Sequence, residues 1–283
     1  METNKNNKSR TEEIEYLNDY LKFFCSPLAQ KIFLSLDGEG NHVKYLQEII
    51  KSKSRGKTNE YLSKLEKVGF VERGTGKRAL TPIGNAVKIK FDEFIKQLLA
   101  IKRNKTYWET HLINIPDKFL PYLYVFHDAD IISTTLDDNM KVSKTVENGV
   151  VKSNHFYAVI SGYSENYGKI VENILKHDGK AEIIMSRNLY DVLSRETKTE
   201  IEKVMKNYKN MRIYLSEDFD KFTMLFTDKE VFLFLFQKNG NIEWDEFLHS
   251  KNEDAVILAR KIFEFYKEKS SEIKYKYEHK DKY

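Results

Sequence analysis

Apolar positions in the first hundred residues recur at helical intervals. Ile14, Leu17, Leu21 and Phe24 step by three or four, which predicts an amphipathic helix. Ser26-Pro27 reads as an N-cap followed by proline at the first helical position. The helix it opens, 28–36, is expected to stop at Asp37-Gly38-Glu39-Gly40. Asn41 is expected to cap a short helix through Leu46, Ile49 and Ile50. Ser54 is expected to cap the next, with Leu62, Leu65 and Val68 on its buried face and Gly69 as its stop. Segments 70–73 and 77–80 flank Gly74-Thr75-Gly76 and predict a short hairpin. A helix then begins at Thr81-Pro82.

Along that last helix, Val87, Phe91, Phe94, Leu98 and Ile101 make an a/d seam over two heptads. Two readings stand. The seam joins two copies of the chain, or, widened by Ile95 and Leu99, it packs on its own domain. Lys102-Arg103-Asn104-Lys105 marks a domain boundary. Beyond it strands are expected at 129–135, 156–161, 181–185, 211–215, 222–226 and 231–236. Helices are expected at 163–176, in two pieces within 189–205, and at 254–269, where Ala255, Leu258, Ile262 and Tyr266 share a stripe. Lys238-Asn239-Gly240-Asn241 is a turn signal. Helices between buried strands indicate an α/β sandwich. The expected fold class is a mixed α+β and α/β chain of two domains: a tail at 1–10, a helical domain with hairpin at 11–105, and an α/β domain at 106–283.

Composition agrees with folded cores, since 41% of the 283 residues are apolar, with 18 Phe and 17 Tyr. No window approaches the ~20 apolar residues of a membrane span. The N-terminus lacks the apolar stretch of a signal peptide. These features predict a cytoplasmic protein without a membrane partner. A single cysteine, Cys25, excludes an internal disulfide and any multi-cysteine zinc site.

Charge changes the picture most. Residues 51–90 carry eleven Lys and Arg against Glu60, Glu66 and Glu72, a balance of +8 in a chain whose net charge is +4. An anionic partner for one domain follows. Three helices followed by a basic hairpin is the winged helix-turn-helix order. A helix entering the major groove needs short polar side chains on its first turns. Ser54, Arg55, Lys57 and Asn59 supply them, with Ser63 and Lys64 further along, and Lys77 and Arg78 at the hairpin suit phosphates. The predicted partner is double-stranded DNA.

Several motifs in order carry a family resemblance. Cys25-Ser26-Pro27-Leu28, the run from Tyr61 through Leu65-Glu66 and Gly69-Phe70-Val71 to Arg73, and Leu80-Thr81-Pro82-Ile83-Gly84 resemble archaeal winged-helix regulators of the arsenical-repressor-like type. The run from Tyr107-Trp108 through His111 and Ile115-Pro116 to Phe119-Leu120 is similar to the link in archaeal regulators with a methanogenesis regulatory (Fil-type) middle domain. Two positions depart from the pattern: Thr58, where an apolar residue is common, and Glu60, where a basic or small polar one is. Glu60 is expected to pair with Lys64 at i+4 rather than read a base.

The resemblance implies a one-component transcriptional regulator, homodimeric, without cofactor or metal, whose second domain senses a small molecule or serves assembly. Effector contacts are expected at strand ends and loops, from His127, Asp128, Asp130, His155, Tyr157, Tyr163, Arg187 and Trp244, with Ser161-Gly162-Tyr163-Ser164 the foremost loop. The second half also resembles a phospholipase D-like half-domain. Catalysis in that family uses H-x-K-x4-D. The H-x-K runs here, His42-Val43-Lys44 and His249-Ser250-Lys251, have Ile49 and Val256 where the motif needs Asp, so no enzyme is expected. The alternatives are a phosphodiester-cleaving enzyme targeted to nucleic acid, and a winged helix used for protein contacts.

Overall fold

The computed structural model describes residues 13–15, 17–51, 54–133, 144–162, 165–196, 207–217, 222–242, 244 and 246–274. The chain is mixed helix and sheet and divides into two compact units, Met1–Ile95 and Lys96–Tyr283.

The first unit contains α1 (Asn18–Phe24), α2 (Pro27–Ser35), β1 (Asn41–His42), α3 (Val43–Ile49), α4 (Arg55–Lys67), β2 (Val71–Arg73), β3 (Lys77–Leu80) and the start of α5 (Pro82–Arg103). Both expected serine caps are present. Ser26 Oγ accepts from the Ala29 amide at 3.4 Å and Ser54 Oγ from the Lys57 amide at 3.3 Å, each stabilising its helix by about 1 kcal/mol. Asn41 does not cap α3. It pairs with Arg78 as the first residue of β1, and His42 takes the N-cap position without a side-chain cap bond. The reason is that the short sheet, in the order β1-β3-β2 and antiparallel throughout, uses this backbone as its edge.

The unit's core gathers Ile32, Phe33 and Leu36 of α2, Leu46 and Ile50, Leu62 and Leu65 of α4, and Val71 and Leu80 of the hairpin. Phe33 is its hub, with ring centroids 5.5 Å from Phe24, 5.9 Å from Phe70 and 6.4 Å from Phe91. The hairpin is locked to α5 through backbone. The Thr81 amide donates to the Phe70 carbonyl at 3.0 Å, Thr81 Oγ1 donates to the Gly69 carbonyl at 2.7 Å, and the Gly84 amide donates to Thr81 Oγ1 at 3.0 Å. A Cβ on Gly84 would stand 1.9 Å from the Phe70 oxygen. This contact accounts physically for glycine in the Leu-Thr-Pro-Ile-Gly run.

The expected seam on α5 divides. Val87 and Phe91 pack on the unit's own core, with Phe91 centred 4.6 Å from Phe24. They are therefore corrected from the interface set to the core set. Phe94, Leu98 and Ile101 stay about half exposed, at 55%, 47% and 47%. The stripe changes role because Phe91 is the last α5 side chain that packs on the first unit's core.

In the second unit, α6 (Lys105–Thr110), β4 (His111–Leu112) and a 3-10 helix (Asp117–Phe126) lead into β5 (Asp130–Ser133). There follow α7 (Lys144–Val151), β6 (His155–Ile160), α8 (Glu165–Lys176), β7 (Lys180–Ser186), α9 (Arg187–Glu196), β8 (Met211–Ser216), β9 (Phe222–Phe226), β10 (Val231–Gln237), β11 (Glu246–Ser250), α10 (Glu253–Lys267) and β12 (Ser271–Glu272). Among the described residues one sheet runs β12-β8-β7-β6-β9-β10-β11-β5, with β4 also on β10. Among the described residues only β6-β7 and β7-β8 are parallel. The two-residue alternation of strands sorts the faces. Val159, Ile184, Tyr214 and Met224 meet α10 and the 3-10 helix on one side. Ala158, Ile160, Ile183, Met185, Ile213 and Phe234 meet α7 and α8 on the other. The predicted strands agree with these to within two residues at each end. The second piece predicted within 189–205 lies outside the described residues. The 3-10 helix, α7 and β11 carry no clean period and were not expected.

Candidate nucleic-acid interface

Helix α4 buries Thr58, Leu62 and Leu65 at spacings of four and three, which turns the rest of its surface outward. Arg55, Lys57, Asn59, Ser63 and Lys64 are exposed. Thr58 fills the apolar position without leaving its hydroxyl idle, since Oγ1 donates to the Ser54 carbonyl at 3.0 Å. Glu60 pairs with Lys64 at 2.7 Å, as the i+4 spacing predicts. The hydrogen bond between them holds Glu60 below the usual carboxylate range and Lys64 above the usual ammonium range. Lys64 also stands 5.1 Å above the Tyr61 ring. The Tyr61 hydroxyl accepts from Ser26 Oγ at 2.9 Å, tying α4 to the start of α2.

On the hairpin, Lys77 is exposed and Arg78 is not. Arg78 is 7% exposed, ion-paired with Glu66 of α4, and its Nη1 donates to the Lys77 carbonyl at 3.2 Å. It is corrected from a phosphate contact to a strut between hairpin and helix. Adjacent strand residues face opposite ways, which here turns Lys77 outward and Arg78 toward Glu66 of α4. Sequence reasoning passed over His42. Its Nδ1 lies 2.9 Å from the Gly76 carbonyl at the hairpin tip, where Gly76 has φ +73°. The signal was the strand register, which no spacing in the sequence carries.

The residues expected to bind an effector do not converge. His127 is half-buried with Nδ1 3.1 Å from the Tyr124 carbonyl. Asp128 accepts from the side-chain Nδ2 of Asn252 at 3.2 Å and Asp130 pairs with Arg103 at 2.9 Å. His155 and Tyr157 do neighbour each other on β6, and Tyr157 is stacked on Phe226, with the Arg260 guanidinium 4.4 Å from the Tyr157 ring centre and 5.7 Å from that of Phe226. Arg187, paired with Glu217, follows the carboxyl end of β7, whereas His155 opens β6 at the amino end of the parallel strands. No single pocket can hold both. Trp244 packs on Phe234 at 5.6 Å and closes over Gly162, where a Cβ would meet its ring at 2.8 Å. Tyr163 and Ser164 lie outside the described residues. Among the described residues no group of His, Cys, Asp and Glu is arranged to hold a metal ion, and no helix is long and apolar enough to cross a membrane.

Residues 140–269 match the family described as methanogenesis regulatory protein FilR1, middle domain. The matched stretch takes in α7 to α10 and the strands β6 to β11. The chain is 20% identical over 263 residues to the methanogenesis regulatory protein FilR1 of Methanothrix harundinacea (strain 6Ac), covering 89% of this chain and 57% of that protein. It therefore spans a little over half the length of that relative. Among solved structures it is similar to TrmBL2, an archaeal chromatin protein, at a TM-score of 0.40 and 16% identity over 92% of this chain and 98% of that one. It is also similar to the phospholipase D family member Nuc from Salmonella typhimurium, at a TM-score of 0.40 and 8% identity over 52% of this chain and 98% of that one.

Proposed function

We propose that the chain is a DNA-binding transcriptional regulator and not an enzyme. In this reading the first unit is a winged helix-turn-helix of the arsenical-repressor-like kind. Helix α4 enters the major groove, with Ser54, Arg55, Lys57, Asn59, Ser63 and Lys64 toward bases and adjoining phosphates, and the hairpin is the wing, with Lys77 on the backbone. The observation that carries the reading is the division of α4 into a buried apolar face and an exposed polar, basic one, next to a basic hairpin. The match to a regulator's middle domain supports the same conclusion. The second unit, a phospholipase D-like half-domain in this reading, serves effector sensing or assembly.

A homodimer fits the exposed side chains of α5. Phe94, Leu98 and Ile101 form an apolar stripe that a second copy would cover. Two reading heads on one operator make the second contact effectively intramolecular, multiplying affinity by roughly 10²–10⁴.

The test is a salt titration of duplex binding. With about six to ten phosphates contacted per dimer, log K falls against log salt with a slope of roughly −5 to −9. A flat response removes DNA as the partner and leaves the winged helix to protein contacts.

A further inference from the structure

His42 stands at the wing but takes no part in the interface argued so far. Three observations define its setting. Its Nδ1 lies 2.9 Å from the Gly76 carbonyl. It is paired in antiparallel register with Lys77, so the two side chains leave the same face of the wing, roughly 4.5–5.5 Å apart at their roots. Its side chain is exposed, and Gly76 lies under the ring, where an added Cβ would meet Cε1 at 3.6 Å and Nδ1 at 3.7 Å.

The first observation fixes the tautomer. A carbonyl oxygen only accepts, so Nδ1 carries the hydrogen and donates it to Gly76. The neutral ring then offers Nε2 as a lone pair, which repels a phosphate oxygen. The protonated ring offers Nε2–H, which donates to one. A phosphate between the His42 and Lys77 side chains attracts both when both carry charge. Histidine is the side chain able to make this change between about pH 5 and 8.

We propose that His42 is a phosphate-binding residue of the wing, and that DNA binding takes up a proton there. The inference rests on the DNA-binding reading of the first unit. The other charged groups on elements packed against His42 do not substitute for it. Arg78 of β3 is turned to Glu66. On α3 stand Lys44 and, a turn further on, Glu48, and lysine and glutamate are not side-chain types that change charge between about pH 5 and 8. In the preceding loop, Asp37 Oδ1 accepts from the amides of Glu39 and Gly40 at 3.0 and 2.9 Å.

The test measures the affinity of the full chain for a labelled random-sequence duplex of roughly three helical turns, near pH 6 and near pH 8, over a salt series. The wild-type protein should bind roughly five- to ten-fold tighter near pH 6. Its salt slope should be steeper there by about 0.9 for each wing, one further phosphate contact. In His42→Asn the amide nitrogen can still reach the Gly76 carbonyl but no group replaces Nε2, so the pH difference and the extra slope should vanish. If His42→Asn keeps the wild-type pH difference, another group takes up the proton and the assignment falls. A wild-type affinity and slope equal at both pH values sinks it without any variant, even if His42→Asn misfolds. No duplex binding at either pH and any salt concentration overturns the DNA-binding reading itself, and the role of His42 with it.

Discussion

The first unit gathers its core around one ring, Phe33, while the second spreads its core over both faces of a long sheet. In the first, helices and hairpin are held in place by individual contacts: Ser26 to Tyr61, Gly84 against the Phe70 carbonyl, Arg78 to Glu66. In the second, strands such as Phe222–Phe226 are buried along their whole length, so no one contact fixes their place. The difference suits two tasks. A unit that leaves most of one helix exposed has little area left to bury, and its geometry must come from specific joints. A unit buried on both sheet faces has area to spare and can vary its loops.

Two truncations of the same chemistry probe this contrast. Phe33→Ala and Phe226→Ala each remove a fully buried ring and should each cost about 3–5 kcal/mol. Amide hydrogen exchange should show different reach. Protection should collapse through α2, α4 and the hairpin in Phe33→Ala. In Phe226→Ala it should weaken around β6, β9 and β10 and persist in β7 and β8, which the parallel ladder still joins. Undiminished protection of α4 in Phe33→Ala would mean that the first unit is not built around this ring.

Glycines sharpen the point by giving opposite signs. Gly84→Ala forces a Cβ into the Phe70 carbonyl and should destabilise by about 1–3 kcal/mol. Gly56→Ala lies in exposed α4 with nothing within 4 Å of the new Cβ, and should stabilise by roughly 0.5–1 kcal/mol. Chemical denaturation of the two variants reads both. Equal shifts in the same direction would remove the close backbone contact as the reason for Gly84.

The legible parts were those set by local chemistry. Ser26-Pro27 and Ser54 announced their helices because a cap is a matter of three residues, and the buried runs of β9 and β10 announced theirs because burial on both faces leaves an unbroken apolar string. What could not be read depends on partners distant in sequence. Asn41 looked like a cap until its backbone paired with Arg78. Arg78 looked like a surface cation until Glu66 drew it inward. Val87 and Phe91 belonged to the same stripe as Phe94 and Leu98, and only the extent of the core beneath them separates the two pairs. The scattering of His155 and Arg187 to opposite strand ends likewise follows from the parallel register of β6 and β7.

Within the first unit, reading and holding should separate. Arg55→Ala or Asn59→Ala should lose about 1–3 kcal/mol on a selected operator and little on random duplex. Lys77→Ala should weaken both to a similar degree and reduce the salt slope by about 0.9 for each wing. Arg78→Ala should act through stability instead, because its partner Glu66 is left without its ion pair. Competition binding with selected and random duplexes distinguishes the three. If Arg55→Ala and Lys77→Ala respond alike on both, α4 is not the reading helix.

The smallest effect belongs to the second unit and is a matter of pH. Asp228, in the turn between β9 and β10, accepts a hydrogen bond from Ser153 Oγ just ahead of β6. That bond holds its carboxyl below the usual range, outweighing the opposing effect of burial and aided by its own backbone amide, Lys229 and His155. The folded state therefore favours the ionised form. The stabilisation is complete above the unfolded value, near pH 4, and is lost as pH falls through the lower folded value. Because Asp228 is exposed to solvent, the contribution should stay below about 1 kcal/mol. Asp228→Asn keeps an acceptor for Ser153 and removes the charge. Urea denaturation should then find the variant slightly less stable at neutral pH, with the gap closing in acid as the wild-type carboxylate is protonated. A gap that stays constant from neutral pH into acid would show that the side chain acts through shape alone. The turn would then join the sheet as one more element held by area rather than by a single charged joint.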